Sequence, residues 1–78
     1  MNDLSKKLVE IAIGYLGPAG ERFMARQVTA HLQGDLTLET LRPEHLPELA
    51  KWVAISSDLL LNDKAKSTEF AEKIRNAQ

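Results

Sequence analysis

Leu46–Asn62, LPELAKWVAISSDLLLN, decides how the rest of the chain is read. Turned at about 100° per residue, Leu46, Leu49, Val53 and Leu60 fall on one arc of a helix, widened on one side by Ala50, Ser57 and Leu61. Ser56, Trp52, Leu59 and Ile55 follow on the other side. The only clearly polar strip is Lys51 with Asp58, flanked by Glu48. A surface helix ordinarily shows one apolar stripe about 100° wide; this one is apolar round most of its circumference. Such a helix packs against neighbours on two sides or keeps one side for a partner. Pro47 suits the first turn, where its missing N–H costs nothing, and Asn62-Asp63 reads as a break and a new cap. Ser56 and Ser57 read as small residues that admit a neighbouring helix, each hydroxyl bonding the carbonyl one turn back. As nucleophiles they would need a base nearby, which the sequence does not place.

On the N-terminal side, Asn2 or Asp3 can cap a first helix over residues 3–16. Leu4, Leu8, Ile11 and Tyr15 form its seam, broadened by Val9, Ala12, Ile13 and Leu16, with Asp3, Lys6, Lys7, Glu10 and Gly14 on the solvated strip. Gly17-Pro18 is the clearest boundary, since glycine suits a helix end and proline a helix start. A second helix is expected from Pro18 to Leu32. Met24, Ala25, Val28 and Leu32 form one apolar arc, and Ala19, Phe23 and Ala30 another. Between these arcs Gly20, Gln27 and His31 turn inward. Gln27 and His31 are therefore expected as an inward polar pair, bonded to each other, to a backbone carbonyl or to a connector residue such as Thr37 or Glu39. They either fix the register of the helix or line a small polar pocket.

The connector Asp35–Leu46 offers Leu36, Leu38 and Leu41 as plugs for the core. Its brief alternation has no partner strand, and an isolated strand is unstable, so a short turn or one-turn helix at Thr37–Leu41 with Thr37 as cap is expected. The last helix, residues 64–76, carries a narrow stripe of Phe70, Ala71, Ile74 and Ala77, extended by Ser67. Glu69 and Lys73 are a favourable pair one turn apart.

Seventy-eight residues make one domain with a thin core. With 44% hydrophobic and 27% charged residues the composition is that of a globular chain. There is no cysteine, so neither a disulfide framework nor a Cys-based metal site is possible; this agrees with a cytoplasmic protein. Leu8–Leu16 is interrupted by Glu10 and Gly14, so no signal-peptide core is read there, and no apolar run reaches the roughly 20 residues of a membrane span. A net charge of −1 gives no general pull toward nucleic acid or anionic lipid.

No catalytic, cofactor or metal signature emerges. His31 and His45 stand alone, without metal-ligand spacing, and Gly14, Gly17 and Gly20 follow no strand, which leaves a phosphate loop unsupported. Arg22 and Arg26 share a face and the tail is locally basic, so a DNA-binding or transcription-associated helical domain is an alternative. The segment that would read bases, Thr37–Leu41, is apolar and acidic, whereas DNA binding asks for a concentrated basic footprint. The sequence therefore points to an all-α fold of four main helices with a short turn between the second and third. It also points to a non-enzymatic regulatory or adaptor domain that binds another protein or a second copy of itself. Trp52, Ile55 and Leu59, together beside the polar strip, are the candidate partner-binding residues; apolar patches with an aromatic anchor mark such sites. Trp52 is expected to be largely shielded from water.

Overall fold

The side chain of Asn2 starts the first helix. Its Oδ1 accepts from the Ser5 amide at 2.8 Å and from the Ser5 hydroxyl at 2.9 Å, satisfying donors that a helix N-terminus leaves unpaired. This helix, α1, runs Asp3–Leu16 in the computed structural model, which describes residues 2–77. Three further α-helical segments follow: α2 (Gly20–His31), α3 (Leu46–Leu61) and α4 (Lys64–Arg75).

The boundary expected at Gly17-Pro18 ends α1 at Leu16, but no loop follows it. Gly17–Ala19 forms a 3-10 turn, so residues 3–31 are helical without interruption. A second 3-10 turn, Pro43–His45, leads directly into α3. Counted as continuous runs there are three helices, of 29, 19 and 12 residues, and not four. The reason is local: proline at the start of a tight turn fixes a helical φ and gives up an N–H that needs no partner there, while Gly17, at φ 67, takes the left-handed backbone that redirects the chain.

The redirected chain doubles back on itself. Gly20 is buried, and a Cβ there would lie 2.6 Å from the Ile13 backbone nitrogen and 2.8 Å from the Ala12 carbonyl carbon. Only a residue without a side chain lets α2 set off against the backbone of α1. Gly14 is the opposite case, since an added Cβ would meet nothing within 4 Å.

Packing follows the order of the chain. Segment α1 lies on α2, α2 on α3 and α3 most extensively on α4, which closes back on α1. Inside sit Leu8, Val9, Ala12, Met24, Val28, Leu46, Leu49, Ala50, Val53, Phe70 and Ile74, all at 6% exposure or less. The Phe70 ring stacks on Tyr15 (centroids 4.8 Å, planes 11° apart) and tilts against Phe23 at 5.8 Å. Two-residue Asn62-Asp63 makes the hairpin between α3 and α4. Asn62 takes a left-handed φ of 51, and Asp63 caps α4 by accepting from the Lys66 amide at 3.1 Å.

Three face assignments need correction. Ala19 and Ala30 are exposed, so of the second apolar arc on α2 only Phe23 is buried. Leu60, placed by its angle with Leu49 and Val53, is 64% exposed. The hydroxyls of Ser56 and Ser57 do not bond back along α3: Ser56 donates to Gln27, and the buried Ser57 Oγ has no partner among the described residues. The connector behaves as a plug: Leu38 and Leu41 are buried and Leu36 is partly so. Thr37–Thr40 is a side-chain-bonded turn, in which the Thr37 amide donates to Thr40 Oγ1 at 2.9 Å and Thr37 Oγ1 accepts from the Glu39 amide at 3.2 Å.

Two expectations follow. Gly14→Ala stabilises the protein by about 0.5–1 kcal/mol by relieving helix-interior glycine entropy, whereas Gly20→Ala destabilises it by about 1–3 kcal/mol through forced overpacking; paired thermal melts check both signs. The Tyr15 hydroxyl donates to Glu69, and partial burial followed by that acidic partner raises its pKa above the ordinary tyrosine value. The folded state thus holds this proton more tightly than the unfolded one. The stability it contributes is present below the unfolded pKa, near 10, and is lost as pH rises through the folded value. Ultraviolet titration shows Tyr15 ionising late, and earlier in Glu69→Gln.

Candidate functional site

Segment α3 has sixteen residues against twelve in α2 and in α4, about 24 Å against 18 Å at the rise of an α-helix. Its inner face, Leu46, Leu49, Ala50, Val53 and Ser57, is spent on the core. On one flank Ser56 Oγ donates to Oε1 of the buried Gln27 at 2.9 Å, which ties α3 to α2. On the other, Asp58 Oδ1 accepts from Ser67 Oγ at 3.3 Å, which ties it to α4. The face between these two ties is open, with Ile55 at 50% and Leu59 at 83% exposure. Lys51 is exposed beside them, and Asp58 is half-buried.

Trp52 forms the edge of this face toward α2. It is partly buried and packed against the core, in keeping with the shielding expected for it. Its indole Nε1 donates to Glu48 Oε2 at 3.0 Å, the Lys51 ammonium lies 5.5 Å from its ring centroid, and the His31 ring stacks on it at 4.1 Å with planes 7° apart. The indole is held from several directions, a cation over an aromatic face being favourable by about 0.5–1 kcal/mol at an exposed site.

The expected inward pair is therefore divided. Gln27 lies inside, 4% exposed, with Ser56 as partner rather than Thr37, Glu39 or His31. His31 is exposed and does not line an interior pocket; it sits in the last turn of α2, and its ring stacks on the indole instead. Sequence spacing alone cannot bring His31 to Trp52, because the contact depends on how α2 and α3 are laid side by side. Leu60 and Ile13, 64% and 46% exposed, are apolar surface that spacing also assigned inward. The Gln27–Ser56 bond and the His31–Trp52 stack hold α2 against the middle of α3, and the last turn runs past both.

A shallow depression of about 440 Å³ beside this face is lined by His31, Leu32, Leu36, Glu44, His45 and Glu48. His45 has a structural task there, its Nδ1 accepting from the Arg42 amide at 3.0 Å. Among the described residues, no three of His, Asp and Glu converge as a metal site would require. Compared with family models, curated proteins and solved structures, the chain matches none.

The stacked pair makes a checkable statement about the edge of the face. His31→Ala uncovers one side of the indole, so native Trp52 fluorescence moves to longer wavelength while the far-ultraviolet dichroism stays that of the parent.

Proposed function

We propose that this chain is a small, non-enzymatic helical domain that acts by binding another protein through the outer face of α3, in a regulatory or adaptor role. The observation that carries the reading is the exposure of Ile55 and Leu59 on a helix whose opposite face buries Leu46, Leu49, Ala50, Val53 and Ser57 in the core. A singly exposed leucine needs no explanation. Two large aliphatics one turn apart, edged by a braced tryptophan and rimmed by Glu48, Lys51 and Asp58, have the anatomy of an interface: apolar centre, aromatic anchor, charged rim.

The reading as a DNA-binding domain gains no comparable support. Residues 37–40 form a bonded turn and not a helix, so α2 is not followed by a nearby second helix to lie in a groove. The surface arginines Arg22 and Arg26 share their helix with Glu21. Salt-dependent DNA affinity would revive that reading. No helix is long and apolar enough to cross a membrane among the described residues. A cytoplasmic setting, expected from the absence of cysteine, belongs to the same proposal.

The test uses Ile55→Glu. An exposed substitution changes stability by no more than about 0.5 kcal/mol, so the melting temperature should hold. A partner recovered from cells of the source organism, then purified and titrated against the domain, should lose at least tenfold in affinity, about 1.4 kcal/mol. A large fall in melting temperature with unchanged binding would reject the reading, since it would put Ile55 in the core.

A further inference from the structure

We propose that the partner of this face is a second copy of the chain, docked with the two α3 helices antiparallel so that Lys51 of each copy meets Asp58 of the other. The inference rests on the reading of α3 as an interaction surface and gives that surface one occupant. Its first support is the spacing of what is exposed. Glu48, Trp52, Ile55, Leu59 and Asn62 follow one another at alternating steps of four and three, the 3.5-residue repeat with which one helix presents a seam to another. All five are exposed or only partly buried. The ties Gln27–Ser56 and Asp58–Ser67 keep α2 and α4 to the sides of this seam.

The second support is charge. Lys51 and Asp58 lie on the same flank of the seam, seven residues apart and opposite in sign. Two copies of one surface related by a two-fold axis meet reciprocally, residue i to j and j to i. Antiparallel pairing about an axis level with the midpoint between Trp52 and Ile55 brings Lys51 to Asp58 of the second copy twice. The same register lays Trp52 against Ile55 of the second copy and Leu59 along the methylene stem of Glu48. Its neighbours fail on charge. Moving the axis to between Ile55 and Leu59 apposes Asp58 with Asp58, and a parallel pair sets the Lys51 and Asp58 flank of one copy beside the Ser56 flank of the other, so that Lys51 and Asp58 are not paired. The Asp58 carboxylate lies 3.3 Å from the Ser67 hydroxyl, which also reaches the Lys64 carbonyl at 3.0 Å.

The seam from Glu48 to Asn62 is about 21 Å long. A helix pair of that length falls at the small end of specific interfaces, below about 1,200 Å², so the dimer is reversible and weak, with a dissociation constant in the micromolar range or above.

Sedimentation equilibrium of the full chain from micromolar to millimolar concentration tests this. Wild-type protein should shift from monomer to dimer, and Ile55→Glu should remain monomeric with unchanged helical dichroism. Lys51→Glu alone and Asp58→Lys alone each place like charges across the axis and should lose at least tenfold in association. An equimolar mixture of those two variants pairs opposite charges at both ends and should dimerise again. Wild-type protein that stays monomeric throughout, a dimer indifferent to Ile55→Glu, or a mixture that stays monomeric although both variants are folded would each overturn the proposal. If the wild type is monomeric yet Ile55→Glu still abolishes binding to a different purified protein, self-pairing fails and the interaction reading stands.

Discussion

The stack of three rings through Phe70 closes this chain on itself. Tyr15 belongs to α1, Phe23 to α2 and Phe70 to α4, so one aromatic side chain touches both halves of the first helical run from the last helix. Offset and tilted aromatic pairs contribute about 0.5–1.5 kcal/mol beyond the area they bury. Here they also fix where α4 can lie, and the Tyr15–Glu69 hydrogen bond repeats the same constraint at the surface. With α4 held to α1, the extensive packing of α4 on α3 leaves α3 only one way to face. The open face of α3 is thus a consequence of contacts made on the far side of the core.

Polar contacts then set the limits of that face. In a core this thin a buried amide must be bonded or costs about 1–3 kcal/mol, and Gln27 meets this need through Ser56. The bond fixes α2 at one distance along α3, which in turn brings His31 over Trp52. Ser57, one residue on, has its hydroxyl buried without a partner among the described residues.

Much of this was legible in residue order because helix periodicity is a local property. The α1 seam, the Asn2 cap, the Asn62-Asp63 hairpin and the stripe of Phe70, Ala71 and Ile74 all follow from side chains within a turn or two of one another. The inward placement of Gln27 was legible in the same way; His31 and Leu60 were not. Both have core-facing angles, and both lie in the final turn of their helices, where burial depends on whether a neighbouring segment extends far enough to cover them. Gly17-Pro18 was legible as the end of α1, but not the way the chain continues: it changes direction at Gly17 and goes on through a 3-10 turn into α2 with no loop between, which lowers the count of continuous helical runs. Exposure of Ile55 and Leu59 was legible only as a choice between core and surface, since an all-round apolar helix does not say which side its neighbours take.

The order in which the segments pack also bears on how quickly the protein finds its structure. Each helical segment meets the next one along the chain, and the contact of α1 with α4 joins the two segments farthest apart in sequence. Domains dominated by local contacts fold in microseconds to milliseconds, and the entropy of closing a loop grows only slowly with its length. The Tyr15–Phe70 stack, spanning most of the sequence, therefore carries the largest closure entropy in the fold. Hairpins α1–α2 and α3–α4 can assemble before it, so residues on that stack govern the lifetime of the native state more than the speed of reaching it.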